Sequence, residues 1–135
     1  MKLVEKIGKA LGKRKDIIFA YLYGSFAKGI SRRESDIDIG IFLEKDFKKD
    51  AFYEAKLALE IEREAKLKNV EVVVLNDKSL RFLNQVLRYG KLIISKGESE
   101  RIKFETLVTR RYIEFKPYYE EYDKIRERRL GLIKV

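Results

Sequence analysis

Apolar residues recur along this chain with two periods, and the places where the period changes mark its elements. Leu3, Val4, Ile7 and Leu11 are spaced as on one face of a helix, which predicts a helix over 2–13. DIIFAYLY, at 16–23, is almost continuously apolar and predicts a buried strand. Gly24-Ser25 then turns the chain into a short helix, SFAKG, closed by Gly29, and a loop over 30–34 leads to a second strand at 36–43. A helix over 50–68 follows, with Asp50 as N-cap and Ala51, Ala55, Leu59 and Glu62 patterned along it. VEVVVL, at 70–75, reads as a third strand. Asn76-Asp77 turns into a helix over 79–89 that Gly90 ends, and KLIIS, at 91–95, is a short fourth strand.

The remaining pattern is helical over 98–129, with apolar residues at 104, 107/108, 112, 115, 118/119, 122 and 125. Pro117 is expected to kink or divide this region near Phe115 or Lys116. The spacing of Tyr112, Tyr118, Tyr119 and Tyr122 reads as core or interface, and LGLIKV forms an apolar tail. Alternating strands and helices predict an α/β (α+β) fold: a small mixed sheet, helices packed on one side and a long C-terminal helical region. The 135 residues are expected to form a single domain, 1–135.

Composition narrows the chemistry. The sequence has neither cysteine nor histidine. Thiolate and imidazole metal ligands, disulfides, and Ser-His-Asp or Cys-His catalysis are therefore all excluded. Catalysis has to use carboxylates, cations, hydroxyls, backbone amides or a metal. The longest apolar run, Ile17 to Tyr23, is far too short for a membrane span, and the basic N-terminus lacks a secretory apolar core, so a cytoplasmic location is expected. The net charge is +9. Lys2, Lys6, Lys9, Lys13, Arg14 and Lys15 crowd the first segment against Glu5 alone, which suits a solvated helix face or contact with nucleic acid, nucleotide phosphates or an acidic partner.

Two positions conflict with simple patterning. In SDIDIGIF, Asp36 and Asp38 alternate with Ile37, Ile39 and Ile41, so the two acids emerge on one strand face about 7 Å apart at the backbone while isoleucine fills the other. Aspartate is depleted in strands, and such conflicts mark functional sites. Glu71 is likewise the only charge in the third strand, where a lone buried carboxylate costs several kcal/mol unless it is paired or metal-bound. Were that strand to lie beside 36–43, three carboxylates would meet, a donor set able to hold two Mg²⁺ ions for phosphoryl or nucleotidyl transfer. Edge charge or pairing with a basic side chain is the plainer reading of Glu71. Gly24-Ser25, between strand and helix, reads as an ordinary cap or as a cradle of backbone amides for phosphate. Lys28, Arg32 and Arg33 border the acids and read as loop charge or as neutralisers of a triphosphate.

Together, Gly24-Ser25, the ten-residue gap and Asp36-Ile37-Asp38 resemble the signature of the DNA polymerase β-type nucleotidyltransferases. The short length resembles the minimal nucleotidyltransferases, and more narrowly the MntA-type antitoxins of HEPN–MNT toxin–antitoxin pairs. GSFAKG, SDIDIGIF, VEVVVLND, LRFLNQVLRYGKLIIS and RRYIEFKPYYEEYDKI carry that likeness over nearly the whole chain. The resemblance implies Mg²⁺-dependent transfer of AMP from ATP to a tyrosine of a HEPN toxin ribonuclease, which silences it. By position, Gly24, Ser25, Lys28 and Arg33 would bind the nucleotide, and Asp36, Asp38 and Glu71 would be the catalytic metal ligands. The sequence departs from the family pattern at Glu71, where aspartate is usual, and at Lys28, where arginine is usual and would offer a bidentate fork. Two rival readings stand beside this one: nucleotide transfer to RNA or a small molecule, and an antitoxin that acts by binding alone through its aromatic helix and apolar tail.

Overall fold

The computed structural model describes residues 2–24 and 37–131. Its elements are α1 (Leu3–Gly12), β1 (Ile17–Tyr23), β2 (Ile37–Leu43), α2 (Tyr53–Ala65), β3 (Val70–Val74), a 3-10 turn (Leu75–Asp77), α3 (Leu80–Tyr89), β4 (Lys91–Ser95) and α4 (Glu98–Arg129). The four strands form one mixed sheet in the order β3-β2-β1-β4. β1 pairs antiparallel with both β2 and β4, while β2 and β3 run parallel, joined by the crossover through α2 that parallel pairing requires. The expected short helix 25–29, loop 30–34 and tail 132–135 lie outside the described residues.

α1 and α2 pack on one face of the sheet, but the helical layer is not one-sided as the sequence led us to expect. The core there is aliphatic: Ile7 and Leu11 of α1 and Leu57 and Ile61 of α2 meet Leu22, Ile39, Ile41 and Val72 of the strands. The second face is also covered, by α3 and the first part of α4. There Phe19 and Phe42 stack with ring centroids 4.6 Å apart, and Phe104 of α4 tilts against both at 5.2 and 5.1 Å. Tyr21 donates to Glu105 at 2.6 Å, and Arg101 holds the same carboxylate at 2.9 Å, which fastens α4 to β1.

Three helical expectations are corrected. α2 buries Tyr53, Leu57, Ile61 and Ala65, and not the Ala51, Ala55 and Leu59 stripe; Leu59 is 65% exposed. Asp50 does not cap α2. Its carboxylate accepts from the Phe52 amide at 2.8 Å in the preceding turn, and Lys66 ends the helix in the left-handed conformation. Finally, α4 continues through Pro117 undivided. The carbonyl that Pro117 cannot serve belongs to Ile113, on an exposed stretch where water can replace the missing donor.

Two glutamates of α2 close the outer side of the sheet. The Val70 amide donates to Glu62 at 3.2 Å and the Val74 amide to Glu54 at 2.9 Å. α2 is also tied to the segment before β1: Asp16 accepts from the Arg14 guanidinium at 3.0 and 3.2 Å and from the Tyr53 hydroxyl, while Arg14 also reaches Glu60 at 2.6 Å. Burial alone would raise the Asp16 carboxyl, but these donors hold it below the usual carboxylate range.

Candidate active site

The strand register builds the site. Tyr23 of β1 stands opposite Asp38 of β2, and Asp38 stands opposite Glu71 of β3. Side chains in one cross-strand row share a face, so Tyr23, Asp38 and Glu71 project together on the face that also carries the Phe19–Phe42 stack. β2 supplies the pivot. Ile37, Ile39 and Ile41 anchor its other face in the aliphatic core, and a one-residue slip would carry all three isoleucines out of it.

Gly24 closes the end of the row. Its φ of +78° is a backbone conformation that side chains rarely adopt, and a methyl group there would collide with an Asp38 carboxylate oxygen. The turn therefore passes against the carboxylate because it is glycine. Two residues along β2, Gly40 lets Leu75 lie flat on the sheet: a methyl on Gly40 would approach the Leu75 side chain to 2.9 Å. Leu75 thus walls the carboxylate row off from the aromatic floor beyond it.

Tyr23 was not singled out by sequence reasoning, although its place immediately before Gly24 was the available signal. Its ring packs edge-on against Phe82 of α3 at 5.6 Å. Burial pushes its phenol well above the ordinary tyrosine range, and the negative charges of Asp38, Glu71 and Glu54 push it further. Tyr23 is a neutral hydroxyl bordering a concentration of negative potential.

Of the expected site residues, the structure brings Gly24, Asp38 and Glu71 together. Ser25, Lys28, Arg32, Arg33 and Asp36 lie outside the described residues. Among the described residues no three carboxylates form a metal-binding group. Asp38 and Glu71 alone are hard oxygen donors on adjacent strands, a donor type that suits Mg²⁺. One expectation about Glu71 is corrected: it is exposed, on the edge strand of the sheet, so no burial penalty singles it out. Its standing comes from its register with Asp38.

The sequence profile described as polymerase beta, nucleotidyltransferase matches residues 5–99. The chain belongs to the polymerase beta nucleotidyltransferase family. No curated protein matches it. Among solved structures it is similar to a toxin–antitoxin with AMP-PNP, at 22% identity and a TM-score of 0.74, over 91% of this chain and 97% of the other. It is also similar to the toxin–antitoxin MntA-HepT, at 21% identity and a TM-score of 0.67, over 92% and 97%. A third similar structure holds a tri-AMPylated Shewanella oneidensis HEPN toxin with its MNT antitoxin, at 20% identity and a TM-score of 0.67, over 90% and 92%. Likeness at this identity is a likeness of fold. No helix among the described residues is long and apolar enough to cross a membrane.

Proposed function

We propose that this nucleotidyltransferase is an antitoxin-type protein adenylyltransferase, moving AMP from ATP onto a tyrosine of a cognate HEPN toxin ribonuclease. The observation that carries the reading is the row in which Asp38 and Glu71 stand in register, with Gly24 packed against Asp38. Family membership and the fold likeness to toxin–antitoxin structures support it.

Each residue then has a task. Asp36, Asp38 and Glu71 would hold Mg²⁺, with Glu71 helping to activate the acceptor hydroxyl. A divalent cation held by these carboxylates would supply Lewis-acid stabilisation of the charge that develops in transfer. Gly24 and Ser25 present backbone amides and a hydroxyl to the phosphates, and Lys28 and Arg33 offset the charge of the triphosphate. The acceptor tyrosine oxygen forms a bond to the α-phosphorus of ATP, the bond to the β-phosphate breaks, pyrophosphate leaves and the phenol proton passes to solvent. Tyr23, neutral and packed edge-on against Phe82, borders the carboxylates.

The test is incorporation of labelled AMP into a candidate HEPN toxin, with Mg²⁺ and ATP. Asp38→Asn should reduce transfer at least about a hundredfold while leaving Tm unchanged, since Asp38 supports the site and not the core. Unchanged incorporation in an Asp36→Asn, Asp38→Asn double variant overturns the proposal. Labelled RNA ends and small hydroxylated acceptors in parallel reactions identify the other acceptor classes. Full neutralisation of the toxin by that inactive double variant would instead establish an antitoxin that acts by binding alone.

A further inference from the structure

Beyond Leu75, on the same face of the sheet, the molecule has a second concavity of about 650 Å³ between the end of β2, α3 and α4. Phe42 lies four residues along β2 from Asp38, about 13 Å by strand rise, so this groove is separate from the carboxylate row. Leu75, Leu80, Leu83, Phe104 and Val108 make its lining predominantly apolar. Lys45, Lys78, Lys103 and Arg111 stand on its rim against a single carboxylate, Glu100. Asn76, also on the rim, is committed to the fold: its amide pairs with both the N–H and the carbonyl of Leu43.

The groove does not end where the sheet does. Phe104, Leu107, Arg111, Phe115, Tyr118, Tyr122 and Ile125 follow one another along α4 at gaps of 3, 4, 4, 3, 4 and 3 residues. That is the spacing of a coiled-coil seam with one stutter. α3 takes a different side of α4, where Arg81 forks onto Asp123 at 2.9 Å and lies over the Tyr119 ring at 5.0 Å. Past Phe104, which packs against Phe19 and Phe42, the seam is left to solvent: Leu107 is 48%, Tyr118 70% and Tyr122 62% exposed.

We propose that this groove and the seam continuing it along α4 dock an acidic amphipathic helix of a partner protein. A seam with gaps of three and four receives the knobs of another helix, and the cationic groove rim selects one whose flanking positions carry carboxylates. The apolar lining supplies the affinity and the rim sets register and sign of charge. The docking surface stands independently of the acceptor chemistry proposed above.

The probe is a synthetic helical peptide about three heptads long, with leucine at seam positions and glutamate on both flanks. Controls are a scrambled peptide of the same composition and a version with lysine flanks. Binding is read by fluorescence anisotropy on the full chain, and affinity for Mg²⁺-ATP is measured in every variant. The patterned acidic peptide should bind at least tenfold more tightly than either control. Leu107→Asp and Tyr118→Asp, both at exposed positions, should each weaken it at least tenfold without changing ATP affinity. Lys103→Glu with Arg111→Glu should abolish the preference for acidic over basic flanks. Absence of binding, or equal binding of the scrambled peptide, overturns the proposal. So does sedimentation showing that the chain self-associates through this seam and that Leu107→Asp makes it monomeric, because the occupant is then a second copy. Absence of transfer activity in the wild-type chain, with peptide binding intact, would fell the adenylyltransferase reading alone.

Discussion

The two faces of the sheet are built from the same strands and follow opposite rules. On the α1–α2 face, Ile39, Ile41, Leu57 and Ile61 are almost fully buried, and the core cluster contains no charge. On the α3–α4 face, the same strands carry a row of Tyr23, Asp38 and Glu71, a glycine forced against a carboxylate, and an aromatic floor that opens into a groove. One face provides the burial on which folding depends, and the other spends part of its area on groups that a core would reject. Alternation in a strand thus lets a short chain keep stability and chemistry apart at a distance of one residue.

Truncation on the first face should give the largest effect on stability. Ile61→Ala is expected to destabilise the protein by about 3 kcal/mol in denaturant titrations, with ATP affinity of the folded fraction unchanged. A comparable loss of ATP affinity would show that the faces are not separable. Gly24→Ala tests the converse. Its left-handed conformation should cost about 1 kcal/mol of stability, whereas displacement of Asp38 should lower AMP transfer at least about tenfold. Normal transfer in that variant would remove Gly24 from the functional face. The smallest effect concerns acid stability at the rim of the first face. Asp16 has a depressed carboxyl pKa in the folded state, so its stabilising contribution is present above its unfolded pKa. That contribution is lost as pH falls below about 4. Asp16→Asn should therefore lower Tm at pH 7 and narrow the gap to wild type on acidification; a gap that widens in acid would contradict the assignment.

Much of this arrangement was legible in the sequence, and the parts that were not share a cause. The strands, the turn at Gly24 and the ending of α3 at Gly90 follow from local backbone preferences, which sequence records directly. The phase of α2 does not. AFYEAKLALEIEREA offers one stripe through Tyr53, Leu57 and Ile61 and another through Ala51, Ala55 and Leu59, and only the position of the sheet chooses between them. Glu71 looked buried because alternation within VEVVV is the same in a central strand and at an edge; strand order decides, and it is a tertiary property. The same ambiguity affects α4. Its tyrosines read as core or interface, and the stripe divides: Tyr112 and Tyr119 stack on each other half-buried, while Tyr118 and Tyr122 are exposed, because the period is identical whether a stripe meets its own sheet or another molecule.

The pairing of Glu54 with the Val74 amide and of Glu62 with the Val70 amide has a mechanical consequence. Eight residues of helix rise about 12 Å and four residues of strand about 13 Å, so the two contacts match only when α2 and β3 are aligned in a single way. Sliding either element by one step would break both contacts together. The helix therefore works as a gauge block laid against the last strand, setting its height relative to β2 and hence the level at which Glu71 meets Asp38. The alignment of two carboxylates on one face of the sheet is calibrated by two other carboxylates that take no part in it.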